Sequence, residues 1–385
     1  MSVFQNRPAL RWLVPVAASV VVVGGGAAIG TLGAAADPAL PPRSAAQLLV
    51  DLQTAQVDGF SGTVVQRADL GLPALPGIGG SGSADLVALA SGTHTLRVWY
   101  AGPDRTRVAL LGTLGESDVM RNGSDVWTWR SQSNEATHYR LPEGGAEHPH
   151  GPNGSGPNGS GPNGLPATPQ EAADQALAAI DPSTRVTVGR SATIAGRDAY
   201  ELVLHPRDAA SLVDQVRIAI DAEEHVPLRF ELFAKGSDEP AFELAFTQVD
   251  FDTPGDNQFT FNPPPGTKVT EGSGEPRRHR PEGGEAPDGL STAGQGWTTV
   301  LVGRIPGGQA PALTGKDLPA GTAGTPNGAD LLGNLLDAFP RVQGDWGSGR
   351  LFTTKLVNVL LLDDGRVLVG AVTPQRLYEV AGTAR

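Results

Sequence analysis

The seven histidines and the paired acids are the side chains whose types could do acid–base or metal chemistry, and their spacing argues against it. His148 and His150 flank Pro149, with His138 upstream. An H-x-H pair ligates a metal when a rigid element and a further ligand support it; this pair borders a Gly/Pro/Asn repeat and has no carboxylate partner. These are expected to be solvated loop histidines. His205 precedes Pro206 at a strand end, and His94, His225 and His279 have no partner at ligand spacing. Glu223-Glu224 and Asp363-Asp364 fall in hairpin turns, where acids serve turn geometry and solubility. The glycine-rich run near Gly321 lacks the lysine and the strand–loop–helix setting of a phosphate loop, and no Gly-x-Ser-x-Gly elbow stands on a strand-to-helix turn. With no cysteine in 385 residues, disulfides, thiolate metal sites, thiol nucleophiles and lipid anchoring at an N-terminal cysteine are excluded. The sequence is therefore read as non-enzymatic, with no metal and no cofactor. A net charge of −12 argues against nucleic acid as a partner, because phosphate attraction needs a basic surface.

The elements that would position a binding site are short alternating strands, running from residue 92 to residue 263. In THTLRVWYAG, Leu96, Val98 and Tyr100 share one face while Arg97 and Trp99 share the other. TRVALLG, DVWTWRS and THYRLP follow, with turns at Gly102-Pro103-Asp104 and Asn122-Gly123. Strands resume with TRVTVG, TIAGRDAYELVLHP, QVRIAID, VPLRFELFAKG and PAFELAFTQVDF, ending at FTFNPP. Ahead of them, Ser44 can cap an amphipathic helix in SAAQLLVDLQTAQV, followed by a first strand in FSGTVVQRADL. A Gly/Pro/Ser-rich loop spans Gly71 to Gly82, and GPNGSGPNGSGPNG, from Gly151 to Gly164, reads as part of a disordered insertion over 144–166. Thr168 with Glu171 resembles a capping box opening a second helix in PQEAADQALAAID.

Residues 44–270 are thus expected to form one sheet domain. A charged, Gly-rich linker follows at 271–294, then a small α+β module at 295–385. In that module GWTTVLVGRI is a strand, LLGNLLDAFPRV a short helix, RLFTTKLVNVLLLDDGRVLVGAV a strand pair turning at Asp363-Asp364-Gly365, and PQRLYEVA a final helix. At the N-terminus, Arg7 and Arg11 precede an uncharged stretch from Trp12 to Ala36, long enough to cross a bilayer. Ala34-Ala35-Ala36 also makes an A-x-A cleavage site, so residues 1–36 read equally as a signal-anchor in the cytoplasmic membrane or a signal peptide. Either places the bulk of the chain in the extracytoplasmic cell envelope.

The fold class expected is mainly β (α+β), with about ten strands and two clear helices to cover them. A sheet that wide must curl, and the uncovered part of its concave face becomes an apolar cavity. The cavity candidates are Leu96, Val98 and Tyr100, Trp127 and Trp129, Ile218, Phe230 and Leu232, and Phe242, Leu244 and Phe246. Each is expected to be a core side chain about twice as often as a cavity wall, because cores dominate burial.

The helix from Ser44 to Val57, the segment GSDVWTWRSQSNEATHYRL, and the late strands VRIAIDAEEHVPLRFELF and AFELAFTQVDF closing on FTFNPPPGTKV together resemble the LolA/LppX-like superfamily of bacterial envelope lipid and lipoprotein carriers. That superfamily includes the N-terminal domain of the RseB/MucB regulators, and the resemblance is nearest to its actinobacterial exported members. It covers roughly residues 44–270. It implies an unclosed antiparallel half-barrel wrapped around a few helices, with lipid or lipoprotein acyl chains held on the concave side. The C-terminal module is an architectural analogy to RseB. It implies the alternative reading of an envelope-stress regulator whose partner is a membrane-bound regulator or transporter. The cysteine that anchors LppX-like carriers is absent.

Overall fold

Two structural periods dominate the chain, and each follows from local chemistry. The computed structural model describes residues 38–71, 89, 91–113, 115–141, 168–170, 173, 183–272, 291–304 and 339–383. The first described element is α1 (Ala45–Thr54). Ser44 caps it: its Oγ accepts from the Gln47 amide at 3.3 Å, while its own amide donates to Gln47 Oε1 at 2.8 Å. Such a reciprocal cap contributes about 1 kcal/mol. Leu48 and Leu52, one turn apart, are the buried side chains of the helix.

Six strands then form an antiparallel meander: β1 (Phe60–Ala68), β2 (Gly92–Tyr100), β3 (Arg105–Gly112), β4 (Gly115–Asn122), β5 (Asp125–Arg130) and β6 (Glu135–Arg140). Gly102 and Gly123 sit in its turns at φ of 88° and 63°, a region that costs other L-residues strain. A second run comprises β7 (Thr184–Val188), β8 (Ala192–Ile194), β9 (Arg197–Pro206), β10 (Val213–Asp221), β11 (Pro227–Ala234) and β12 (Pro240–Asp250). β12 pairs with β1, so the two runs fuse into one unclosed sheet of 13 strands ordered β13-β6-β5-β4-β3-β2-β1-β12-β11-β10-β9-β7, with β8 on β9. The end strand β13 (Lys268–Glu271) lies parallel to β6, so the sheet is mixed and not wholly antiparallel.

Two further expectations change here. β4 was not anticipated, because GESDVMRN carries charge on both faces and lacks a clean apolar alternation. FTFNPP is not a strand: it leaves a short 3-10 turn (Asp256–Phe259) and crosses the sheet as an extended strap before β13. Its three consecutive prolines cannot donate to a ladder, which accounts for the loss of pairing. Among the described residues, the regular helix on this sheet is α1, against β7 and β9. Of the second expected helix only Pro169, Gln170 and Ala173 lie within the described residues, all three helical. The span expected at 1–36, the Gly71–Gly82 loop beyond Gly71, and the insertion expected at 144–166 lie outside them. Among the described residues, no helix is long and apolar enough to cross a membrane.

A second sheet, six strands and antiparallel, is built from β14 (Ser291–Ala293), β15 (Val300–Arg304), β16 (Arg341–Gly344), β17 (Gly347–Thr353), β18 (Asn358–Leu362) and β19 (Arg366–Gly370). Its order is β14-β15-β19-β18-β17-β16. α2 (Pro374–Thr383) lays Leu377, Val380 and Ala381 on Val300, Val302, Leu360, Leu362 and Leu368. Of the expected helix LLGNLLDAFPRV, the residues before Phe339 lie outside the described set, while Arg341 and Val342 belong to strand β16 and not to a helix. From Ala39 onward the chain is one compact unit. The Leu212 amide donates to Ala371 O and the Thr373 amide to Ala210 O, both at 2.8 Å, and the Lys355 amide to Leu70 O at 2.9 Å. Leu356, 5% exposed, is part of the larger sheet's core.

Candidate functional site

Strand register sorts every candidate residue onto one face or the other. On β1 and β2, Val64 stands opposite Leu96, Gly62 opposite Val98 and Phe60 opposite Tyr100. The same phase runs outward through Phe246, Leu244 and Phe242 on β12, Phe230 and Leu232 on β11, and Val216 and Ile218 on β10, to Leu202 and Leu204 on β9. This inner face carries the core and receives Leu48 and Leu52 of α1. Nine of the eleven candidates therefore meet on one surface. Seven of them (Leu96, Val98, Ile218, Phe230, Phe242, Leu244 and Phe246) are buried in the core, while Tyr100 and Leu232 are half-buried. Each fully buried chain of this size contributes about 1.5–3 kcal/mol to stability.

Trp127 and Trp129 are the exceptions. Leu110 faces Ser117 and Ser117 faces Arg130, which puts Val126 and Thr128 on the inner face and both tryptophans on the outer. There Phe261 of the strap packs on them, with ring centroids 4.9 Å from Trp127 and 6.3 Å from Trp129. They cover the outer side of the sheet and cannot line a cavity on the inner one.

The inner face changes character toward the meander. One cross-strand row reads Val249–Gly62–Val98–Val108–Val119, small or β-branched at every strand. It covers five strands, roughly 19 Å at ~4.8 Å per strand. Val98 is buried and the other four are half-buried. One flank is aromatic, Phe60 stacked on Tyr100 at 5.3 Å and edge-on to Phe246 at 6.0 Å; the other is Leu96 and Leu110. Burial pushes the Tyr100 phenol above its ordinary value, as expected beside apolar neighbours. The row is an apolar, mostly half-buried strip of the inner face.

The outer face is polar. Arg217, Glu231, Glu243 and Arg67 form a row across β10, β11, β12 and β1, the two carboxylates side by side between two arginines. Arg67 Nη1 reaches Glu243 Oε2 at 2.8 Å, and burial raises the Glu231 carboxyl above the ordinary range. Further along, Arg107 on β3 donates from Nη2 to Asp118 Oδ2 at 2.5 Å, and both line a cavity of about 220 Å³ with Met120 and Trp129. Its roof is the strap, through Thr260, Phe261, Asn262 and Pro264. Asp118 is 2% exposed; burial, reinforced by the nearby Glu116 carboxylate against the pull of Arg107, pushes its pKa up to about 6. Sequence reasoning passed over Asp118 because β4 itself was missed. The signal was present: an Asn-Gly turn at 122–123 requires a strand on each side.

A third feature is an open cleft of about 630 Å³ at the rim, where Arg67, Asp69, Gly92, Thr93, Glu239 and Glu243 gather. Lys355 Nζ meets Asp69 Oδ2 there at 2.5 Å and holds the carboxyl below its usual range. Of the histidines, His138 sits between Asp125 (2.8 Å) and Glu271 (2.9 Å) and stacks on Trp127 at 4.3 Å, so it is a structural clip between β5, β6 and β13. His94 Nε2 lies 2.8 Å from Ser91 O. His148, His150 and His279 are outside the described residues. Among the described residues, no group of three or more His, Asp or Glu side chains could hold a metal ion.

No family model and no curated protein matches the sequence. Among solved structures, the chain is similar to the Pseudomonas aeruginosa MucA/MucB complex at 16% identity, covering 88% of this chain and 96% of that one, with a TM-score of 0.43. A crystal structure of MucB gives 16% identity over the same shares, with a TM-score of 0.38. A LolA superfamily protein from Nitrosomonas europaea gives 14% identity over 57% of this chain and 99% of that one, with a TM-score of 0.22.

Proposed function

We propose that this protein is a non-catalytic, extracytoplasmic binder or carrier that holds the acyl chains of a lipid or lipoprotein along the inner face of its larger sheet. The observation that carries the reading is the half-buried row Val249–Gly62–Val98–Val108–Val119 between aromatic and leucine flanks. It is continuous with the buried core, so its removal from water by an alkyl chain adds roughly 25 cal/mol for each Å² covered. An extended chain fits such a row because it needs length and apolar contact but no hydrogen bonds.

A regulator of the RseB kind is the second reading, and the seat of the smaller sheet favours it. Leu356 enters the core of the larger sheet, and Lys355 touches both Leu70 O and Asp69 beside the rim cleft. What occupies the inner face would then bear on how the smaller sheet meets a membrane-bound partner.

The test is native mass spectrometry of the full chain purified from its own host's envelope, with lipid extraction alongside. The expected result is a bound acyl species that Val119→Asp releases while the fold, read by circular dichroism, is kept. A folded wild-type chain that carries no lipid and takes up no fluorescent fatty acid would overturn the reading.

A further inference from the structure

His138 holds two carboxylates at once. Its Nε2 lies 2.8 Å from Asp125 Oδ1 and its Nδ1 lies 2.9 Å from Glu271 Oε2. Its ring stacks on Trp127, and the side chain is 11% exposed, so both contacts stand mostly out of water.

The chemistry of the ring makes this arrangement conditional on a proton. An ionised carboxylate only accepts hydrogen bonds, so each ring nitrogen must carry a hydrogen to meet its partner. The imidazolium has two N–H groups and the neutral ring has one. In the neutral form a bare nitrogen lone pair would face a carboxylate oxygen, and one of the two contacts turns repulsive. We propose that His138 is a pH-operated clasp, which ties the end strand β13 to β5 and β6 when protonated and lets β13 and the strap loosen when neutral. The clasp lies on the outer face and is independent of acyl binding on the inner one.

Geometry decides which contact yields. Asp125 lies on β5, paired on both sides by β4 and β6, and Arg140 Nη2 also reaches its Oδ1 at 3.5 Å. The hydrogen bond from His138, with Arg140 behind it, holds the Asp125 carboxyl below its usual range against the effect of burial. Glu271 is 75% exposed and sits on a four-residue strand whose side chains are all exposed. It is the Glu271 carboxylate that swings out to water. Among the described residues, the charged groups at the ring are Asp125 from β5, Glu271 from β13 and Arg140 from its own strand. The strap contributes the uncharged Phe261, packed on Trp127.

Losing that contact matters because the other ties of β13 are slight. Beside its ladder with β6 stand the exposed pair Lys268–Glu135 at 3.3 Å and, just ahead, the Thr267 hydroxyl donating to Asn134 Oδ1 at 2.8 Å. An exposed ion pair contributes little. The strap leads directly into β13, so a loosened β13 frees one end of the cover over Trp127 and Trp129. Histidine is the side chain that ordinarily changes charge between about pH 5 and 8. The clasp is therefore closed at the acid end of that window, and its contribution is lost as pH rises through it.

The test follows amide hydrogen exchange of residues 268–271 in the full-length chain at pH 5 and pH 8, each rate divided by the intrinsic rate at that pH. Long-range ¹H–¹⁵N spectra of the His138 ring report its protonation in the same samples. The expected result is a doubly protonated ring at pH 5 and a neutral one at pH 8, with protection of β13 about threefold to fivefold lower at pH 8. Protection of the core strand β10 should not change. In Glu271→Gln the carboxamide accepts from an N–H or donates to a bare nitrogen, so it pairs with either form of the ring and protection of β13 should lose its pH dependence. Equal wild-type protection of β13 at the two pH values would overturn the proposal, as would a Glu271→Gln chain that keeps the wild-type difference. A ring still doubly protonated at pH 8 would overturn it too, because the clasp would not open in that window.

Discussion

The indole Nε1–H of Trp297 donates to Oγ1 of Thr184 at 2.7 Å, fastening the turn ahead of β15 to the edge strand β7 of the larger sheet. The two sheets are otherwise joined there by the main-chain bonds around Ala210–Leu212 and Ala371–Thr373. Trp297 also packs against the larger core. Trp297→Phe keeps most of that packing and removes the donor. It is expected to cost about 1 kcal/mol in urea unfolding and to speed amide exchange within β7, the end strand of the larger sheet.

Asp221 closes the β10–β11 hairpin and is fully buried. It accepts from the Arg197 guanidinium and from the amides of Glu223 (2.9 Å) and Glu224 (2.8 Å). Burial raises its pKa, but Arg197 and the two amides outweigh burial and leave it below the usual carboxylate range. A depressed acid stabilises the fold above its unfolded pKa of about 3.9, and that stability is lost as pH falls through the lower folded value. Asp221→Asn is expected to cost about 3 kcal/mol at pH 7, and the difference from wild type should shrink below pH 4.

Asp118 has the opposite sign. Its folded pKa of about 6 lies above the unfolded value, so its favourable contribution is complete below about pH 4 and is lost as pH rises to about 6. The span corresponds to at most about 3 kcal/mol, at ~1.4 kcal/mol per pH unit. In Asp118→Asn the stability difference from wild type should change by up to that amount between pH 4 and pH 7 and be flat above it. A difference that does not vary with pH would exclude the raised value. Arg107 and Glu116 are the charged groups that set it.

Gly62 lies in the proposed groove where Phe246 crosses it. A Cβ there would come within 2.7 Å of the Phe246 ring and 2.6 Å of Gln248 O. Gly62→Ala is expected to cost about 1–3 kcal/mol by overpacking and to weaken uptake of a fluorescent fatty acid along with it. Unchanged stability together with full uptake would show that Phe246 turns aside freely.

Leu244, fully buried at the centre of β12, gives a control outside the groove. Leu244→Ala should cost about 2–5 kcal/mol in denaturant, lowering stability without a pH dependence.

Much of the strand order was legible from local rules. Alternation in THTLRVWY separates Leu96, Val98 and Tyr100 from Arg97 and Trp99, and the structure keeps that division. The turns at Gly102 and Gly123 and the cap at Ser44 fall where side-chain chemistry demands them. β4 was legible only from its Asn-Gly turn and not from its own pattern, because Glu116, Asp118 and Arg121 give it charge on both faces. Its polar residues belong to a covered outer pocket, where burial depends on a strap more than 130 residues further along the chain.

By itself, the sequence determined which side chains share a face within one strand, where the turns stand, and that no thiol chemistry exists. Period-two geometry, glycine's backbone freedom and composition act over a few residues at a time. Only the tertiary structure decided which face is inner. Trp127 and Trp129 alternate as cleanly as Leu96 and Val98, yet a register carried across β3 and β4 turns them outward under Phe261. A one-residue change of register at any of those pairings would have reversed the assignment, and register is set between strands, not within them.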